Sequence, residues 1–157
     1  MTAPALLSLG GNLGDRKALM DEAVARLAAL PGVRLTARSA YYRTAPDGPV
    51  AQPWFLNIAV ALTTELPRAE LAAACRAIET VVGRDRSREI PWGPRPMDID
   101  VVAYGETADI DRRAFVIIPA AEVAADFRVG PATLAALAAS ADTIGVDKLD
   151  WPVAAVL

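Results

Sequence analysis

The chain has 157 residues, 54% hydrophobic and 22% charged, with a formal net charge of −3; this excludes wholesale disorder and predicts one compact domain over 1–157. The mild negative charge provides no general attraction to nucleic acid. No apolar run reaches membrane-span length and MTAPALLSLGG lacks a signal-peptide layout, so a cytoplasmic protein is expected. With no histidine and one cysteine, Ser-His-Asp and Cys-His catalysis, histidine metal sites and an internal disulfide are excluded, which leaves carboxylates, arginines, backbone amides or a bound metal.

Ala5–Gly10 is a short apolar run ending in glycines and predicts a buried strand. Gly10, Gly11, Asn12 and Gly14 make a turn and Asp15 a helix N-cap. Leu19, Ala23, Leu27 and Leu30 then recur at helical spacing. Asn12 stands where the dinucleotide fingerprint needs its second glycine, so the turn is a weak phosphate cradle. Val33–Arg43 predicts a strand and Thr44–Pro53 a long loop. Phe55–Thr64 predicts a strand with Phe55, Asn57, Ala59 and Ala61 on one face. Asn57 is there either a ligand donor or an edge residue satisfied by backbone or water.

From Pro67 to Val82 the pattern is helical, with Leu71, Ala74, Cys75, Ile78, Val81 and Val82 on the expected buried side; Gly83 ends it. Arg84–Pro91 reads as a charged, mobile loop whose Arg84, Arg86 and Arg88 are either solvated or a polyphosphate clamp. Met97–Tyr104 predicts a strand on which Asp98 and Asp100 share a face, roughly 6–7 Å apart. Such a pair is either two solvated acids or two carboxylates around a cation. Phe115–Ile118 predicts a further strand ended by Pro119, followed by short helices over Ala120–Ala125 and Pro131–Ala139 and an irregular tail after Gly145. The order β-α-β-β-α-β predicts an α+β fold, a ferredoxin-like antiparallel sheet with helices packed on it and extra C-terminal helices. On the residues alone, Phe55 and Phe115 are core aromatics.

Five segments, SLGGNLGDR, YYRTAPDGPVAQPWFLNIAVALTT, AIETVVGRDRS, WGPRPMDIDVVAYG and FVIIPAAEVAADF, together resemble the 6-hydroxymethyl-7,8-dihydropterin pyrophosphokinases of folate synthesis, in order and at compatible spacing. The resemblance implies transfer of pyrophosphate from ATP to the hydroxymethyl group of a reduced pterin, giving AMP, with two Mg2+ ions. It implies Asp98 and Asp100 as metal ligands and Arg84 and Arg95 as the catalytic arginines that neutralise the triphosphate. Arg86 and Trp92 would close over ATP, with Glu79 and the Val101 backbone near the nucleoside. Phe55 and Phe115 would be the aromatic walls of the pterin pocket. Thr44 and Asn57 would hydrogen-bond the ring, helped by backbone near Ala45 and Asp47.

Small-molecule substrates and a monomer are expected, with no nucleic acid or membrane partner. The segment Gly105–Ala114 is shorter than the family's and lacks its Pro-His pair. Arg112 would replace the missing phosphate contact, and Arg113 matches the arginine before the stacking phenylalanine. The short segment motivates one alternative, a diverged pterin-binding paralogue with altered nucleotide use. A second is a non-catalytic module in which the aspartates are surface acids and the phenylalanines core.

Overall fold

The structure, a computed structural model, describes residues 1–154. Strand β1 (Ala3–Gly11) leads into helix α1 (Arg16–Ala28), then β2 (Val33–Arg38), β3 (Tyr42–Thr44) and β4 (Phe55–Thr64). Helix α2 (Arg68–Val81) precedes β5 (Asp98–Tyr104), β6 (Thr107–Ala108) and α3 (Ala114–Val123). The chain continues through a β7–β8 hairpin (Arg128–Val129, Ala132–Thr133), α4 (Leu134–Ala139) and β9 (Val146–Lys148). The main sheet runs β6-β5-β1-β4-β3-β9, with β2 also beside β4, and each described pairing in it is antiparallel. Taking β2 and β3 as one interrupted strand, this is the ferredoxin-like order, as expected.

Strand alternation divides the core in two. Leu7, Leu9, Ile58 and Val60 face one side, where they pack with Met20, Leu27, Leu71 and Ile78 of α1 and α2. Each of those four strand residues has no exposed surface, a burial that contributes about 1.5–3 kcal/mol apiece. Leu6, Ala59, Val102 and Ala103 face the other side and pack with Val116, Ile117 and Leu134 of α3 and α4. The β1–β5 register shifts between Leu6 and Leu7, which pair with Ala103 and Val101. Val102 is therefore the extra residue of a bulge, and both Val102 and Ala103 can serve the α3 side. Helices α3 and α4 cover only part of this second face. The uncovered part carries Ser8, Gly10, Asn57, Asp98 and Asp100.

Asp15 caps α1 as expected, its carboxylate accepting the Ala18 N–H at 3.1 Å. On α2 the buried set holds Leu71, Cys75 and Ile78, but Val81 is 56% exposed and Glu79 is buried in its place. On the flank of α2 toward β5 the Glu79 carboxylate accepts from the Ile99 N–H and from Arg86, and the Val81 flank faces water.

Four other expectations are corrected. The strand expected over Val33–Arg43 breaks at residues 39–41, where Glu122 of α3 accepts the Ala40 N–H and the Tyr42 hydroxyl, each at 2.6 Å. Phe115–Ile118 is not a strand but the first turns of α3, with Pro119 inside the helix. As a helix it buries Val116, Ile117 and Ala120 on one side against the sheet, a set that a strand's two-residue period would split. The helix expected over Pro131–Ala139 starts only at Leu134, after β8, with Thr133 as its N-cap. The tail after Gly145 is not irregular throughout, because β9 pairs with β3 and Gly145 accepts the Ala45 N–H at 2.8 Å.

Candidate active site

A cavity of about 370 Å³ opens on the uncovered part of the second face. Ser8 and Gly10 of β1, Phe55 and Asn57 of β4, and Asp98 and Asp100 of β5 all line it. The shared face expected for the two aspartates is what strand alternation produces, while Ile99 points into the core beneath. Gly10 is required there, since a Cβ would run into the Asn57 side-chain oxygen; a Cβ on Gly11 would meet the Pro96 carbonyl. Asn57 and Thr44 are 5% and 2% exposed, and the Asn57 amide donates to the Thr44 hydroxyl. Ala45, Asp47 and Gln52 form one rim, Trp92 and Arg95 a second, and Asp111, Arg113 and Phe115 a third. Phe55 and Phe115, core residues on pattern alone, are both half-buried and border the cavity.

The carboxylates sit in unequal surroundings. Asp98 accepts from Arg84 at 2.9 Å and has an Arg95 nitrogen at 3.8 Å. Asp100 is solvent-exposed through the open cavity that it lines, although protein crowds its carboxylate. Loss of solvation first, and the neighbouring Asp98 carboxylate second, push its pKa up to about 7. Among the described residues no group of three or more His, Cys, Asp and Glu could enclose a metal ion. A cation between Asp98 and Asp100 would thus take its remaining oxygens from water and a ligand, the coordination that Mg2+ favours. Two carboxylates side by side on one strand face repel each other unless a cation lies between them, so these residues fit the metal.

Not every expected site residue reaches the cavity. Arg84 is 7% exposed and lies behind Asp98, held by Glu89 at 2.8 and 3.0 Å and by the Met97 carbonyl at 3.2 Å. Arg84 is thus packed beneath β5 rather than solvated. Three carboxylates around Arg84 raise its pKa despite burial, with Glu89 and Asp98 the main partners. Glu79, 1% exposed, accepts the Ile99 N–H at 2.7 Å and pairs with Arg86 at 3.0 Å. Its own pKa is raised, because burial outweighs those hydrogen bonds. Val101 faces the α1–α2 side, its carbonyl accepting from Arg68 at 3.2 Å. Arg112 is exposed and borders no part of the cavity.

Residues that local pattern did not single out complete the enclosure. Asn12, read only as a turn residue, donates to Gln52 at 2.9 Å and to the Pro53 carbonyl at 2.8 Å, and accepts the Arg95 N–H at 2.9 Å. Gln52 in turn donates to the Trp92 carbonyl at 2.6 Å. Trp92 holds a φ of 61° with its side chain over Gly48, a conformation that costs about 1–2 kcal/mol for a residue with a Cβ. These partners lie 40 to 83 residues apart, a separation at which spacing carries no signal.

The family model for 7,8-dihydro-6-hydroxymethylpterin-pyrophosphokinase (HPPK) matches residues 6–125. A 2-amino-4-hydroxy-6-hydroxymethyldihydropteridine pyrophosphokinase of Methylorubrum extorquens is 44% identical over 157 residues, covering 93% of this chain and 98% of the relative. One of Pseudomonas aeruginosa is 37% identical, covering 78% and 82%. Among solved structures, a Plasmodium falciparum HPPK-DHPS superposes with a TM-score of 0.52 at 12% identity, over 95% of this chain and 38% of that one. A second HPPK-DHPS crystal structure gives 0.51 at 12% identity, over 68% and 28%. These two share the fold, and this chain spans less than two-fifths of their length. A diverged paralogue is not favoured by a 44% match running along nearly all of both chains. The chain belongs to the HPPK family.

Proposed function

We propose that this protein transfers a pyrophosphoryl group from ATP to the hydroxymethyl group of 6-hydroxymethyl-7,8-dihydropterin, releasing AMP, in folate synthesis. The observation that carries the proposal is one cavity with two chemically distinct halves. The paired carboxylates Asp98 and Asp100 stand beside a buried amide–hydroxyl pair, Asn57 and Thr44, with Phe55 and Phe115 on its borders. A flat, polar-edged ring fits the second half: aromatic faces stack on it while the amide and hydroxyl meet its edge. Backbone at Ala45 and Asp47 lies on the same rim and completes the edge contacts.

Asp98 and Asp100 hold the divalent cations, and Arg95 faces the phosphates from the 92–95 rim. Bound Mg2+, two ions in this proposal, would supply neutralisation of the charge developing on the phosphoryl oxygens. No histidine is needed, because phosphoryl-type transfer rests on positioning and charge rather than on a strong protein base. Arg84 holds Asp98 in place and reaches phosphate only by leaving Glu89. Arg86, half exposed beside Glu79, and Trp92 close over the nucleotide, while Arg112, outside the cavity, reaches a phosphate only by turning toward it. Among the described residues no strand pairs with the outer edge of β5 before Ala103, where Glu79 accepts the Ile99 N–H and Arg68 donates to the Val101 carbonyl, so the Val101 N–H is placed to meet a base.

One copy builds the whole cavity, so we infer one pterin pyrophosphokinase-like domain working as a monomer. Among the described residues no helix is long and apolar enough to cross a membrane. Incubation with ATP, Mg2+ and the reduced pterin is expected to yield AMP in step with pterin diphosphate, and to yield none in excess EDTA. Absence of AMP with every reduced pterin tried would defeat the reading. The non-catalytic alternative expects unchanged ligand binding and metal response in D98A.

A further inference from the structure

We propose that Asp111 is a positioning residue for the pterin: with Asp47 it clamps the Arg113 guanidinium against Phe115 and so ties the loop over residues 45–54 to the N-terminal end of α3. The inference rests on the pterin reading above and adds a residue outside its contact set. Arg113 points one nitrogen at Asp47, 2.8 Å away across the cavity mouth, and its Nε at Asp111, also 2.8 Å away. Its guanidinium carbon lies 4.7 Å from the centre of the Phe115 ring. Asp111 also accepts the Arg113 backbone N–H at 2.9 Å. It therefore fixes both the main chain and the side chain of the residue that starts α3.

Among the described hydrogen bonds and ion pairs, Arg113 to Asp47 is the one link between the 45–54 loop and the start of α3. That loop contains no helix or strand, and Phe115 stands only two residues beyond Arg113. A planar guanidinium gripped on two edges by carboxylates keeps a fixed orientation, and its flat face packs on an aromatic ring. The directions of titration agree: Asp111 is held below the usual carboxylate range mainly by its Arg113 hydrogen bonds, and Arg113 is raised mainly by Asp111. Arg113, Asp47 and Asp111 are all partly exposed, which sets a modest and salt-sensitive effect.

The test compares wild type with D111N, which keeps an oxygen for the Arg113 N–H but loses the charge, and with D47N, which releases the other arm. Direct calorimetric binding of the reduced pterin is expected to weaken about three- to fivefold in D111N, with its kcat, KM for ATP and melting temperature unchanged, and D47N, which also borders the pterin, is expected to weaken binding at least as much. Added salt is expected to weaken pterin binding in the wild type and to have less effect in D111N. Unchanged pterin affinity in D111N, an equal rise in the KM for ATP, or identical salt dependence would overturn the proposal. A wild type that binds the reduced pterin but forms no AMP would sink the functional reading alone, with the binding comparison still deciding the clamp. A wild type that binds no reduced pterin would sink both.

Discussion

Replacing Asp100 by asparagine is expected to lower the rate of AMP formation by about 10²–10³-fold, while leaving the metal-free protein as stable as the wild type or more so at neutral pH. The two effects have one cause. Asp100 stands beside Asp98 on the same face of β5, and Arg84 serves Asp98 rather than Asp100. Without a cation, the Asp100 charge is repelled by its neighbour; with one, it becomes a ligand. Because its pKa in the folded protein is pushed up to about 7 from an ordinary 3.8, the folded chain holds this proton more tightly than the unfolded chain. The resulting stabilisation is complete below about pH 3.8 and is lost as the pH rises through about 7. The melting temperature of metal-free D100N should therefore gain on the wild type as pH rises across that window. Excess Mg2+ should restore the advantage to the wild type above pH 7, by binding the native site. Thermal scans in EDTA and in Mg2+ at pH 5 and pH 8 provide the check. Wild-type turnover in D100N, or a gap between the two proteins that ignores both pH and metal, would contradict the assignment of Asp100.

E79A is expected to reduce folding stability by about 2–4 kcal/mol, the largest stability loss anticipated here for a change outside the apolar core. Glu79 is 1% exposed and is the sole described acceptor for the Ile99 N–H, which lies within the buried start of β5. Truncation leaves that N–H without a partner, opens space under the strand and removes one of three carboxylates from around Arg84. Arg84 keeps Glu89 and Asp98, and Arg86 is free to turn into solvent. For that reason the loss should stop short of the 3–5 kcal/mol expected when a buried charge is left wholly unpaired. Glutamine retains an acceptor for Ile99 but presents an amide donor to two arginines, so E79Q should fall between E79A and wild type. Urea unfolding of the three proteins measures the order. Equal stability of E79A and wild type would show that the β5 edge is held by something else. Since β5 carries both aspartates, E79A should also weaken the response of the protein to Mg2+.

Features of the site set by nearby residues were legible in the sequence. Asp98 and Asp100 share a face because a strand repeats every two residues, and Asn57 lies beside Phe55 on the cavity side for the same reason. Asp15 announced the start of α1, whereas Gly10 and Gly11, read as part of a turn, are the end of β1, where close approach of Asn57 and Pro96 requires glycine. In each legible case, cause and effect are separated by a few bonds. The ferredoxin-like order was legible for a related reason: two helices and a hairpin, placed where the strands fall, leave few ways to form one antiparallel sheet.

What the tertiary structure decided was every partnership across the sheet. Phe115–Ile118 is rich in strand-favouring residues, yet it folds as helix because the second sheet face offers a surface for Val116, Ile117 and Ala120 to cover together. Val33–Arg43 was continuous by pattern, but Glu122 of α3, about 80 residues away, satisfies the backbone where the strand breaks. Arg84 stood in a charged run that reads as loop. Packing under β5 surrounded it with Glu79, Glu89 and Asp98 and turned an apparent solvent-facing arginine into the support of the Asp98 carboxylate. Periodicity reports which way a residue points. It cannot report which distant charge will meet it there, because that depends on how the elements are ordered in space. The carboxylate pair was therefore written in the sequence, and the arginines, glutamate and aspartates that hold it and the neighbouring pocket in shape were chosen by the fold.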